Sequence, residues 1–138
     1  RGPWESYWDR KTSAMVGLYE GAIASQYYPY VRPQENGNKT DVRWAKLSKK
    51  KGVNIAIYST GSLLNINALP YSPAQLFPGI EKGQTHAGEL TPDKYTHLEI
   101  DLQQLGLGGD NSWGNLPMEQ YLLYLYQPYS YSYRIEAF

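Results

Sequence analysis

Hydrolysis by a pair of carboxyl groups needs the two about 5–9 Å apart, one of them in an apolar pocket that raises its pKa. Three pairs of acids stand out in this chain: Glu5 with Asp9, Glu35 with Asp41 on either side of a turn, and Glu99 with Asp101 on one strand face. Only the last pair has about that separation, and strand alternation puts it on the solvent face, where polar residues are ordinary. His86 and His97 are the only histidines. They lack the i, i+4 spacing of a helical zinc pair, and no third ligand is evident. There is no cysteine, which removes disulfides, thiolate zinc sites and thiol nucleophiles. No G-x-S-x-G marks a nucleophile elbow. Asp110-Asn111-Ser112 opens like a calcium loop but lacks the alternating acids and the closing glutamate. No catalytic residue, metal site or cofactor is expected in this chain.

"GLGGDNSW" (106–113) could pass for a phosphate cradle, since it follows a strand-like run. Its third glycine is not at the required offset, and Gly114 and Pro117 deny the helix whose N-terminus would hold a pyrophosphate. What remains is Trp113, an indole at the end of a glycine-rich loop. It can fold back and plug the edge of a sheet, or stand in a cleft and stack on the C–H face of a sugar. Gly108 and Gly109 permit backbone angles closed to other residues. Asp110 and Asn111 could bond back to loop amides and fix its shape, with Ser112 beside them.

The elements that must carry this loop read as strands. Residues 40–48, 52–59, 63–69, 95–102 and 129–138 alternate apolar and polar side chains at the period of a pleated sheet. The first run puts Val42 and Trp44, with Lys46, on one face and Arg43, Ala45 and Leu47 on the other. The second groups Val53, Ile55 and Ile57, the third Leu64, Ile66 and Ala68, and the fourth Leu98, Ile100 and Leu102. The last aligns Tyr129, Tyr131, Tyr133, Ile135 and Ala137. Helix signals are confined to residues 72–77, with Ser72 as N-cap and Pro73 in the first turn. Residues 117–128 read as extended. The fold class is all-β with at most one short helix.

The 138 residues make one domain or part of one. Thirteen basic and thirteen acidic residues balance, which argues against a nucleic-acid partner. Lys49-Lys50-Lys51, closed by Gly52, reads as a solvated turn. No apolar run reaches the roughly 18 residues of a membrane span, so no membrane partner is expected. The opening "RGPWESYWDR" lacks the apolar core of a signal peptide, and the chain reads as a piece of a longer protein. Fourteen tyrosines and four tryptophans stand against two phenylalanines. Such rings bury area while keeping a polar handle, and most of them are expected to serve sheet packing.

Two long stretches, "YVRPQENGNKTDVRW" (30–44) and "HLEIDLQQLGLGGDNSWG" (97–114), resemble the C-terminal domain of large β-galactosidases of the glycoside hydrolase family 2 type. "RGPWESYWDRK" (1–11) is similar to that domain's G-P-x-E-x-Y-x-D-R stretch. "THAGEL" (85–90) falls where the family has a histidine-bearing segment, and "PYSYSYRIEAF" (128–138) resembles its closing strand. The resemblance implies the C-terminal part of an antiparallel supersandwich related to galactose mutarotase-like domains. It implies catalysis elsewhere, by two glutamates on a (β/α)8 barrel acting with retention, and magnesium and sodium bound outside this domain. Trp113 matches the tryptophan that stacks on the sugar at the active-site mouth. The family's second aspartate before it is Asn111 here, which keeps a hydrogen-bonding side chain and removes a charge. The implied partners are a β-galactoside such as lactose and the catalytic barrel, or a large chain bearing it; open sheet edges also allow a homo-oligomer. Two other uses fit the same composition: a free-standing carbohydrate-binding module and a structural assembly domain.

Overall fold

The computed structural model describes all residues except Glu81, Lys82, Gln84 and Ser112. Among the described residues, six strands form two antiparallel three-stranded sheets: β1 (Lys39–Val42), β2 (Trp44–Leu47), β3 (Ile55–Ser59), β4 (Leu64–Leu69), β5 (His97–Asp101) and β6 (Tyr133–Ala137). The first sheet has the order β1-β4-β5 and the second β2-β3-β6. The one α-helical turn among the described residues, α1 (Pro73–Leu76), is closed by a capping box between Ser72 and Gln75, which answers two backbone N–H groups otherwise left without partners. Residues 117–128 contain a 3-10 turn at Glu119–Tyr121 and no strand.

Period-two alternation builds the core. On β4, Leu64 and Ile66 point inward, and β5 sets Ile100 opposite Ile66 and Leu98 opposite Ala68. On the second sheet, Ala45 faces Ile57 and Leu47 faces Ile55. Ile57, Leu64 and Ile66 form the sealed centre, packed against Val42, Ala45, Leu47, Ile55, Leu98 and Ile100. The outward face of β4 is covered too, by the N-terminal segment. Asn65, Asn67 and Leu69 are buried there. The Ser6 N–H donates to the Asn38 carbonyl at 2.8 Å, Asn38 Nδ2 donates to the Ser6 carbonyl at 2.8 Å, and Asn67 Nδ2 donates to the Asn36 carbonyl at 2.8 Å. Buried polar groups have to be paired, and here the pairing fastens residues 5–40 onto the sheet.

The expected strand over 40–48 is in fact two strands in different sheets. The register between β1 and β4 slips by one residue between Lys39 and Val42, and Asp41 adopts φ +56°. Arg1 Nε and Lys11 Nζ hold its carboxylate at 2.6 and 2.9 Å, so two contacts from the N-terminal segment anchor this left-handed turn. Alternation restarts after it. Val42 and Ala45 both reach the core although they are three apart, and Trp44 and Lys46 face out. Val53 lies outside β3 and is exposed, and Tyr129 and Tyr131 precede β6.

The expectation that tyrosine and tryptophan serve sheet packing fails as well. The core is aliphatic, and Tyr7 is the one aromatic residue buried among those described. Rings pair instead at the surface and beneath loops, as in Tyr27–Tyr71 and Tyr131–Tyr133. The thickness between two sheets suits branched aliphatic side chains.

Ile57 is fully buried, whereas its cross-strand neighbour Ile135 is 51% exposed. Ile57→Ala is expected to lower the unfolding free energy by about 2–5 kcal/mol, and Ile135→Ala by less than half as much. Urea unfolding curves of the two variants check this.

Candidate functional site

The loop that leaves β5 has a fixed root and a free tip. Gly106, Gly108 and Pro117 are buried, and the described residues between Gly109 and Leu116 are exposed. Trp113 stands at the tip, 91% exposed. The indole therefore does not plug the sandwich. Asn111 Oδ1 accepts the Trp113 N–H at 2.9 Å, a local Asx-type bond that shapes the last turn. The Asp110 carboxylate bonds no loop amide among the described residues, contrary to expectation; it lines a cleft at the root instead. Ser112 lies outside the described residues.

Gly108 and Gly109 both take positive φ, +66° and +82°. They differ in their surroundings. A Cβ on Gly108 would lie 3.1 Å from the Asn115 carbonyl oxygen and 3.2 Å from the Pro117 nitrogen, whereas one on Gly109 would meet nothing within 4 Å.

The root is held by the N-terminal segment, about a hundred residues away in sequence. A 3-10 turn at Trp8–Arg10 places the Asp9 carboxylate beneath the loop. Its two oxygens accept the N–H groups of Leu107 at 3.0 Å and Gly108 at 2.8 Å. Arg10 pairs with Asp9 at 3.3 Å and also donates to the Gly108 carbonyl. Burial opposes the charge on Asp9, but the two N–H donors and Arg10 outweigh it and hold its pKa below the ordinary value. On the other side of the root, the Gly106 N–H donates to the Tyr121 carbonyl at 2.9 Å. The Tyr121 ring meets Trp8 edge to face, with centroids 5.7 Å apart. Asp9, Arg10, Gly108, Asp110, Met118 and Tyr121 enclose a cleft of about 120 Å³. Sequence reasoning had Asp9 only as one of a nominal acid pair and did not single out Arg10. No local spacing could reveal a contact across 98 positions.

The carboxylates form a second feature, under the N-terminal segment on the outer side of the first sheet. Glu99 and Asp101 share the outward face of β5, but they are half-buried rather than solvated. Burial, with Asp101 beside it, pushes the Glu99 pKa up. Glu35 joins them. The residue as a whole is exposed, and its carboxyl accepts from Asn67 Nδ2 at 3.3 Å. Desolvation of that carboxyl, reinforced by Glu99, Glu5 and Asp101, pushes its pKa up to about 7. The Tyr7 hydroxyl beside it opposes the rise, without a hydrogen bond of good geometry. These acids do not line the cleft at the loop root. No group of three or more His, Asp or Glu among the described residues is placed to hold a metal ion. His97 Nε2 lies 3.1 Å from Asp93, and His86 is exposed.

Residues 1–135 match the protein family described as "Beta galactosidase small chain". Across 99% of its length the chain is 38% identical to a β-galactosidase of Priestia megaterium, of which it covers 13%. It is 44% identical over 82% of its length to a β-galactosidase of Lactobacillus delbrueckii subsp. bulgaricus, covering 10% of that protein. With the β-galactosidase BgaC of Bifidobacterium adolescentis it shares 32% identity over 99% of its length, 13% of that protein. The chain thus spans 10–13% of the length of these relatives.

Gly108→Ala meets both a strained φ and backbone atoms, and Gly109→Ala meets only the strain. Gly108→Ala is expected to destabilise more, with the left-handed strain alone costing about 1–2 kcal/mol at either site; denaturant melts of the two variants compare them. Glu35 has a folded-state pKa above its unfolded value of 4.5, so the folded chain binds its proton more tightly. The associated stability is fully present below about pH 4.5 and declines as pH rises toward 7. Glu35→Gln is expected to flatten that decline, read from urea midpoints at pH 5 and pH 8.

Proposed function

We propose, from the premise that this chain belongs to the β-galactosidase small-chain family, that it forms one wall of the active-site mouth of a β-galactosidase. On that wall Trp113 lies flat against the sugar, chiefly on the leaving-group or acceptor side. The observation that carries this reading is the position of the indole: 91% exposed, on a loop whose root is buried and whose described tip residues are exposed. An exposed indole of this kind suits the apolar C–H face of a pyranose, with hydroxyls taken up by neighbouring polar groups. Trp113 does not line the cleft at the root of its own loop, and on this reading the opposite wall belongs to another part of the protein.

The assignment of roles follows from what these residues can and cannot do. The chain supplies orientation, not proton transfer. Asp9 is locked into structural bonds, and Glu99 and Asp101 are half-buried on β5. The two catalytic glutamates, acting with retention as in glycoside hydrolase family 2, lie outside this segment, as do the magnesium and sodium sites. The segment itself is the C-terminal portion of such an enzyme, or a separate small chain, and this piece alone is inactive. The substrate is a terminal β-galactoside such as lactose. Gly108, Gly109, Asp110, Asn111 and Ser112 support the loop. A structural use accompanies this one. Tyr133, Ile135 and Ala137 of β6 are exposed on the side that faces the core, and the catalytic barrel or large chain of the same enzyme seats there.

In the full-length enzyme, Trp113→Ala is expected to weaken lactose binding by about 1 kcal/mol, the scale of an aromatic contact. That is roughly a fivefold rise in KM, with a matching loss of transfer to sugar acceptors and a smaller change in kcat. Steady-state kinetics with lactose measure it, and unchanged kinetics would overturn the platform role.

A further inference from the structure

We propose that Asp9 and Arg10 are the positioning residues of the Trp113 loop. Together they clamp both backbone polar groups of Gly108, so that the exposed indole is delivered from a fixed origin. The proposal rests on the reading of Trp113 as the sugar platform and adds to it the device that aims the platform.

Three observations converge on the root of the loop. First, the Asp9 side chain is only 3% exposed, yet it is ionised and fully engaged. Its oxygens take two successive backbone N–H groups, Leu107 at 3.0 Å and Gly108 at 2.8 Å. A carboxylate is the one side chain that can accept from two adjacent amides with separate charged oxygens. An asparagine there would turn an NH₂ toward an N–H. Second, Arg10 donates to the carbonyl of the same Gly108 and pairs with Asp9 at 3.3 Å. The glycine's donor and acceptor are thus both held by neighbouring side chains of one 3-10 turn. Third, Gly108 sits at φ +66°, where a Cβ would crowd the Asn115 carbonyl oxygen at 3.1 Å and the Pro117 nitrogen at 3.2 Å, so tight backbone packing limits the direction in which the chain leaves the clamp. The Trp8–Tyr121 contact and the Gly106–Tyr121 hydrogen bond brace the opposite side.

Gly109 has open space around it, and the Asn111–Trp113 bond at the tip is local. Four residues separate Gly108 from the indole. A ligand that must order a wandering loop binds more weakly than one that meets a prepared surface. The clamp therefore acts on affinity without touching sugar. It also gives the "WDR" of the N-terminal segment a use that the platform reading leaves unassigned.

The test uses the full-length enzyme with Asp9→Asn, Arg10→Lys, Trp113→Ala and the Asp9→Asn/Trp113→Ala double variant. Hydrogen exchange is followed on peptides covering residues 105–116, and KM and kcat are measured with lactose. Asp9→Asn is expected to speed exchange at Leu107 and Gly108 at least tenfold while peptides from β3 and β4 stay unchanged. It should also raise KM toward that of Trp113→Ala with a lesser effect on kcat, and add nothing on the Trp113→Ala background. Arg10→Lys should show the same pattern more weakly, and it serves if Asp9→Asn does not fold. Unchanged exchange in the loop overturns the clamp. Faster exchange with an unchanged KM, while Trp113→Ala raises KM, overturns its positioning role. If Trp113→Ala itself leaves lactose kinetics unchanged, the platform reading falls instead, and exchange at 107 and 108 alone decides whether the clamp stands.

Discussion

A carboxylate removed from water must have its charge answered by the protein, and Asp9 is answered by the backbone of a loop about a hundred residues away. Much of the organisation around the loop is compatible only with that condition. The N-terminal segment has to lie across the first sheet to bring Asp9 there, and its polar side chains are paired in passing: Ser6 with Thr40 at 2.8 Å, Asn38 with Ser6, and Asp41 with Arg1 and Lys11. The loop in turn must end β5 where two successive N–H groups point at the same side chain. Gly106 has to lack a Cβ, because one would lie 2.7 Å from the Tyr121 Cβ and 3.0 Å from the Asp9 carboxyl carbon.

Charge elsewhere on the segment is handled differently. Glu35, Glu99, Asp101 and Glu5 gather with few cations near them, and the strain shows as raised pKa values at Glu35 and Glu99. Asp9 is the opposite case, a buried acid whose partners outweigh its desolvation. The contrast separates Asp9, whose partners offset its burial, from Glu35 and Glu99, whose partners do not. It also explains how acids with perturbed pKa values can occur here without forming a catalytic pair, since perturbation follows from packing as readily as from function.

The sheets were legible where periodicity is local. β3, β4 and β5 alternate cleanly, and Ile55, Ile57, Leu64, Ile66, Leu98 and Ile100 take the inward positions their spacing implies. The all-β class followed from those runs. The break at Asp41 was illegible because the left-handed turn depends on Arg1 and Lys11, 40 and 30 positions away. Tyrosines were misread for a related reason. Their abundance in alternating runs looks like a packed face, but a face packs only if something covers it, and β6 is open throughout. The glycines and short polar residues before Trp113 fit a plug as well as a platform, so its exposure was not legible in them. Nor was the grip of Asp9 and Arg10 on its root, because two residues in a loop-like segment carry no sign of which distant amides they will meet.

We propose that this member of the β-galactosidase small-chain family contributes an indole and no acid or base. The most direct measurement is a crystal structure of the full-length enzyme with a bound, uncleaved galactoside. The expected result is the face of the Trp113 ring within about 4.5 Å of pyranose carbon atoms, with no carboxyl of residues 1–138 at the glycosidic oxygen. A sugar bound in the barrel with Trp113 turned away from it, or with Glu35, Glu99 or Asp101 at the scissile bond, would contradict it.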